Sequence, residues 1–297
     1  MWPTRAAAVR FTWRAVPVHK AAAMGALATA RLRAREADSP MLPDGVGVER
    51  NLSYGPDPAH CLDVYMPSAR PTGSILLVVH GGAWAIGDKA NPAVVTAKVA
   101  HWVPAGVVVA SVNYRLLRFA DPLQQAGDLA RAIAWVQQRA GSWQADAARL
   151  VVVGHSTGAH LAALLAADPD LLRNHGAEPW LATVLIDCAA LDVVAVMRAP
   201  HRPLFDRAFG ADEAAWRQAS PVHRLRTRPA PVLLVHSDQR RESGESSRRF
   251  AAAVAAMNGR AEVCEVALSH VELNARLGLQ NSYTERVDLF LQSVGVP

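Results

Sequence analysis

Short apolar runs recur along the chain at Ile75–His80, Val107–Val112, Leu150–Val153, Ala182–Cys188, Pro231–His236 and Ala261–Leu268, with helical stretches between them. A strand that alternates apolar and polar residues buries one face, whereas a continuously apolar one is covered on both. Several of these runs are of the second kind, so they demand helices on each side of a mainly parallel sheet. The intervening segments supply them. Over 128–137, Leu129, Ile133 and Val136 share one helical face, and 156–167 reads as a second helix. Upstream, "VGVERNLSYG" and "CLDVYMP" read as an antiparallel pair joined by the turn-rich "PDPAH". The expected fold class is α/β, a mostly parallel central sheet flanked by helices.

Two segments break the alternation. Residues 1–45 are helical in character and interrupted by Pro17, while 190–229 hold four prolines and no strand. The division expected is an N-terminal helical segment over 1–45 and an α/β domain over 46–297, with 190–229 a cap insertion. In open α/β sheets the ligand sits at the carboxyl ends of the strands, so a cover placed there would shape its pocket.

Composition narrows the function classes. At 297 residues, 51% apolar and 19% charged, the chain suits a compact soluble protein with a large core. The net charge of +5 comes from scattered arginines, Lys20, Lys89 and Lys98 being the only lysines. No basic patch is interleaved with aromatics, which argues against a nucleic-acid partner. No apolar run approaches the ~18 residues of a membrane span, so stable membrane insertion is not expected. Cys61, Cys188 and Cys264 are odd in number and far apart, offering neither a disulfide framework nor metal spacing. Cys188 and Cys264 fall in strand-like runs, where a free cysteine acts as a small core residue. Arg5, Arg10 and Arg14 precede "AAAMGALATA" in the charge order of a signal peptide, but that core is alanine-rich and begins late. A cytoplasmic location is the expectation. His155 and His160 lie five apart, not the four that would put two metal ligands on one helical face. No P-loop or dinucleotide fingerprint is present, and no metal or cofactor is expected.

The most informative stretch is "RLVVVGHSTGAHLAALLAADP", Arg149–Pro169, a strand that turns into a helix at Gly154-His155-Ser156-Thr157-Gly158. A serine at so tight a corner has its hydroxyl held clear of the sheet, and residues two away must be very small to avoid collision. The helix that follows points its N-terminus at the site and favours negative charge there. The alternative is an inert serine capping a helix. Two further features weigh against it. "VVHGGAW" ends another apolar run, and its glycines let a loop bring backbone N–H groups close to a developing oxyanion. Gly82 and Ala83 are the expected donors, joined by the Thr157 amide. The order of partners is the second feature, since in this kind of sheet serine is followed by an acid and then histidine. His270 follows the last apolar run and is the expected base. Asp238, two residues beyond the 231–236 run, is the expected acid, with Glu242 on the same loop the alternative.

The chain resembles the α/β-hydrolase superfamily, and within it the carboxylesterases with an HGG[GA]W oxyanion motif. These are related to hormone-sensitive lipase and include feruloyl-esterase-like proteins and kynurenine formamidase. "NLSYGPDPAHCLDVYMP" looks like that group's leading hairpin, and "HGGAWAIGDK" with "SVNYRLL" like its oxyanion loop and next strand. "GHSTGAHLAA" matches its elbow, "ASPVHRL" the stretch before the acid strand, and "SHVELNARLG" the histidine segment. The resemblance runs from about Asn51 onward. It departs at Thr157, where alanine is usual, and at Ser237, where glycine usually precedes the acid.

By that resemblance the activity would be metal-free hydrolysis of small to medium acyl or aryl esters through an acyl-enzyme, the partner being a small-molecule ester. An arylformamidase would use the same residues on an N-formyl group. A non-catalytic binding protein on this fold would be expected to lack one member of the constellation. A lipase would need an apolar lid, which the arginine-rich 198–228 segment does not resemble.

Overall fold

The leading pair forms β1 (Val46–Ser53) and β2 (Cys61–Pro67), antiparallel, with an irregularity in register between Glu49 and Leu52. The remaining runs become β3 (Ile75–Val79), β4 (Val108–Val112), β5 (Leu150–His155), β6 (Ala182–Ile186), β7 (Val232–Ser237) and β8 (Ala261–Val266). In this computed structural model, which describes residues 42–69 and 71–297, they form one eight-stranded sheet ordered β1-β2-β4-β3-β5-β6-β7-β8. From β3 to β8 every pairing is parallel. Nearly all of the expected 1–45 segment, with the leader-like pattern weighed there, lies outside the described residues.

Helices cover both faces. α1 (Pro92–Trp102) follows β3, α2 (Pro122–Arg139) follows β4, and α3 (Thr157–Ala167) with the short α4 (Pro169–Arg173) follows β5. α5 (Val193–Arg198), α6 (Pro203–Phe209), α7 (Glu213–Gln218) and α8 (Pro221–Arg224) occupy 190–229. α9 (Arg241–Ala256) follows β7, and α10 (His270–Arg276) and α11 (Ser282–Ser293) follow β8. Strand β3 shows why its apolar run is unbroken. Ile75, Leu77 and Val79 pack with Leu129 and Ile133 of α2 and Leu161 of α3, while Leu76 and Val78 join Val95, Val99 and Trp102 of α1 on the other face. Each fully buried aliphatic side chain contributes about 1.5–3 kcal/mol. Cys188 is buried as expected, but Cys264 lies on β8, at the edge of the sheet among the described residues, and is only partly buried. No helix among the described residues is long and apolar enough to cross a membrane.

The chain runs from β3 outward to β4, then crosses back to β5 on the other side of β3. That reversal leaves a crevice at the carboxyl ends of β3 and β5, where an open α/β sheet binds its ligand. The "HGGAW" loop leaves β3 there and Ser156 leaves β5.

Candidate active site

Ser156 sits between β5 and α3 with φ +54° and ψ −114°, a conformation costly for a residue with a Cβ. The corner is held by its neighbours. The Ser156 N–H donates to the Ile186 carbonyl at 2.7 Å, tying the bend to the end of β6. A Cβ on Gly158 would stand 2.2 Å from the Val79 carbonyl oxygen, and one on Gly154 would stand 2.5 Å from the Gly158 carbonyl carbon. Both flanking glycines are therefore required by contact with backbone that cannot move aside. Gly158→Ala is expected to destabilise the protein by about 1–3 kcal/mol, read as a lower midpoint in urea unfolding. An unchanged midpoint would mean that the α3–β3 contact relaxes freely.

The loop after β3 is strained as well. Gly82 has φ +138°, and a Cβ there would meet the Ile86 carbonyl oxygen at 1.9 Å. Ala83 and Trp84 follow at φ +51° and +60°. The Gly82 carbonyl accepts from the Ala85 and Ile86 amides, closing the turn, and the Trp84 N–H donates to Thr157 Oγ1 at 3.1 Å. Thr157, the departure from alanine, thus clamps this loop to the start of α3. Gly82, Ala83 and Thr157 all line the same cavity as Ser156. The first amides of a helix have no intrahelical partner, which leaves the Thr157 N–H available to a ligand. Below the loop, Trp84 Nε1 donates to His160 Nδ1 at 3.2 Å, and the other ring nitrogen of His160 reaches the Ala219 carbonyl at 2.7 Å. Burial holds the His160 pKa down to about 4, so this histidine is a neutral strut.

His270 opens α10. Ser269 caps that helix, its side chain and Glu272 satisfying each other's backbone donors. Three further contacts hold the segment: His155 Nε2 at 3.0 Å from the His270 carbonyl, Ser237 Oγ donating to Leu268, and Lys98 Nζ donating to the Asn274 carbonyl at 2.7 Å. The His155 and His270 rings lie 4.5 Å apart. Burial, aided by the neighbouring His270, lowers the His155 pKa to about 3, so His155 is a neutral donor. Ser156 and His270 line one cavity at the carboxyl end of the sheet.

The carboxylate that meets His270 is Asp187, not Asp238. Asp187 Oδ2 lies 2.6 Å from His270 Nδ1, and its side chain is fully buried. β6 ends at Ile186, and Asp187 follows with φ +52°, its N–H still donating to Val235 on β7 while its side chain faces the site. Its Oδ1 accepts the Ser237 N–H at 3.1 Å. Burial alone would raise the pKa of this carboxyl. The hydrogen bond with His270, the Arg240 charge and the Ser237 amide outweigh burial and hold it below the ordinary carboxylate range. Asp238 lies one residue past β7 and is exposed, its N–H fixed to the Val266 carbonyl of β8. The turn there sends its side chain to solvent. Glu242 lines the cavity but is 58% exposed and pairs with Arg240 at 3.1 Å.

The sequence carried a sign of Asp187 that loop position did not. It is the one acid within the apolar Ala182–Cys188 run, and a carboxylate buried with apolar neighbours must find cations or N–H donors. Asp187 also preserves the order serine, acid, histidine.

The cavity measures about 810 Å³. Its apolar side includes Trp84, Ile86 and, from the 190–229 segment, Val196, Leu204 and Phe205. Phe205 packs edge-on against Trp84, with ring centroids 5.9 Å apart. Side chains of this segment therefore line the same cavity as Ser156.

This sheet order, strand-to-helix corner and histidine after the last strand define an α/β-hydrolase fold. The chain belongs to the BD-FAE family, whose model matches residues 62–242. It is 30% identical over 201 residues to carboxylesterase NlhH of Mycobacterium tuberculosis, covering 64% of this chain and 60% of that protein. Esterase LipC of the same organism is 27% identical over 205 residues, 64% of this chain and 50% of LipC. A probable isoprenylcysteine alpha-carbonyl methylesterase, ICMEL1 of Oryza sativa, is 35% identical over 116 residues, 38% of this chain and 26% of that one. The matched stretch thus spans less than two thirds of each relative. Among solved structures, esterase B of Lactobacillus rhamnosis superposes with a TM-score of 0.69 at 20% identity, covering 93% of each chain. Thermogutta terrifontis esterase 2 phosphonylated by sarin gives 0.68 at 22% identity, covering 86% of this chain and 97% of the other.

Proposed function

We propose that the protein is a serine carboxylesterase acting on small to medium acyl or aryl esters, with Ser156 as nucleophile, His270 as base and Asp187 as its orienting acid. One observation carries the reading: Asp187 grips Nδ1 of a histidine that shares a cavity with a serine on a strained corner. Asp187 accepting the Nδ1 proton leaves His270 Nε2 free to take the proton of Ser156 Oγ as that oxygen attacks the ester carbonyl carbon. The carbonyl oxygen becomes negative and is met by the amides of Gly82, Ala83 and Thr157. Collapse breaks the bond to the alcohol, which leaves with the proton from His270. Water then repeats the sequence on the acyl-enzyme. The Trp84, Leu204 and Phe205 wall suits an apolar acyl or aryl group, and the cavity falls within the ~300–1,000 Å³ range usual for small ligands. This reading needs no cofactor, and the cytoplasmic location expected from the sequence belongs to it.

The test is a comparison of turnover on p-nitrophenyl acetate and N-formylkynurenine, paired with fluorophosphonate labelling. Ester turnover with a stoichiometric adduct on Ser156 is the expected result. Turnover of the formamide alone would make the protein an arylformamidase. No adduct in folded protein would make it a binding protein.

A further inference from the structure

Arg240 lies three residues past β7, and its guanidinium turns inward to the Asp187–His270 pair. Its Nη1 lies 2.8 Å from Asp187 Oδ2 and 2.6 Å from His270 Nδ1, with a longer 3.4 Å contact to the Asp187 carbonyl. Its Nη2 lies 3.1 Å from the Glu242 carboxylate. His270 Nδ1 cannot serve both neighbours in one protonation state. Bearing a proton it donates to Asp187; lacking one it accepts from Arg240. In the first arrangement Nε2 is free to receive the Ser156 proton, whereas in the second Nε2 already carries one. A single cation therefore both pins the carboxylate and stands against the ring that the carboxylate orients.

We infer that Arg240 is a positioning residue for the reaction, fixing the Asp187 carboxylate and holding a positive charge against the ring that this carboxylate orients. This rests on the serine-esterase reading above. The charged and titratable groups facing His270 come from several elements. His155 lies against the ring from the end of β5, Asp187 follows β6, and Arg240 follows β7 with Glu242 of α9 behind it. Lys98 of α1 reaches only the far turn of α10 at Asn274, and Glu272 turns back to Ser269. Among the described residues, Arg240 is the cation in contact with the ring. Removing it relieves repulsion of the protonated imidazole and leaves that imidazole as the carboxylate's one charged partner, beside the neutral Ser237 amide. Both effects favour protonation, so both move the acid limb of the pH–rate profile upward.

The test compares pH profiles of kcat/KM on p-nitrophenyl acetate for wild type, Arg240→Lys, Arg240→Gln and Arg240→Met, with rates normalised to sites labelled by fluorophosphonate. For Arg240→Met we expect the acid limb to rise by about one pH unit. Its kcat should fall by up to about 100-fold with KM nearly unchanged, as misplacement of an orienting group would produce. Arg240→Lys, which keeps the charge, should keep the limb in place and recover part of kcat. Arg240→Gln, which keeps N–H donors but not the charge, should shift the limb as methionine does; it carries the test if Arg240→Met does not fold. Profiles of the glutamine and methionine variants that superimpose on wild type would overturn the inference. Failure of the underlying reading looks different, since Ser156 of the wild type would then go unlabelled whatever stands at 240.

Discussion

Ser156→Ala is expected to lower kcat on p-nitrophenyl acetate by about 10⁶-fold, leaving only the residual rate that binding and the oxyanion amides support. The size follows from what the oxygen does. Without it no acyl-enzyme forms, and the amides of Gly82, Ala83 and Thr157 are left only the slower direct attack of water to stabilise. The loss should appear with little change in melting temperature. Ser156 Oγ makes no capping hydrogen bond to α3, so its removal costs that helix no cap. The positive φ remains whether serine or alanine stands there. Paired kinetics and thermal unfolding therefore separate a chemical role from a structural one. Activity surviving within about 100-fold of wild type would point to another nucleophile and sink the assignment.

How much of this was legible beforehand depended on what each feature must satisfy. β3 and β5 could be read because strands covered on both faces must be apolar throughout, and their observed limits fall within two residues of the runs. The corner could be read because glycine is the one residue that fits against the Val79 backbone at position 158. His270 followed from chain order and from its place after the last strand. The carboxylate that meets His270 was harder to read, because loop position after β7 points to Asp238 whereas burial points to Asp187. Asp238 had the right sequence neighbourhood, but solvent could satisfy it. Asp187 had no such outlet: inside an apolar run it must be hydrogen-bonded, and its partners are the imidazole, the Ser237 amide and Arg240. The pocket wall from 190–229 was less accessible, because its helices are short and their burial depends on what lies beneath them. Thr157 is a similar case, since its hydroxyl matters only once the Trp84 amide is known to stand opposite.

The same distinction gives the second large effect, a contrast between two aspartates. Asp187→Asn is expected to lower kcat by about 10⁴-fold with KM little changed. An amide at this site can present N–H instead of oxygen to Nδ1, which favours the tautomer with the proton on Nε2, unable to accept from Ser156. It also removes the charge that stabilises the imidazolium during attack. In the wild type Asp187 has a pKa below the ordinary carboxylate range, so it stays ionised throughout the pH span in which a histidine base works. The activity loss in the asparagine variant should therefore not be recovered by raising the pH. Asp238→Asn, by contrast, alters an exposed side chain with no hold on His270 and should leave kcat within about twofold. Measuring both variants on one ester under one set of conditions decides the matter. If Asp238→Asn were the crippled enzyme and Asp187→Asn the active one, the turn after β7 would have to rearrange when substrate binds. The hydrogen bond between Asp187 and His270 would then belong to a resting state rather than to the reaction.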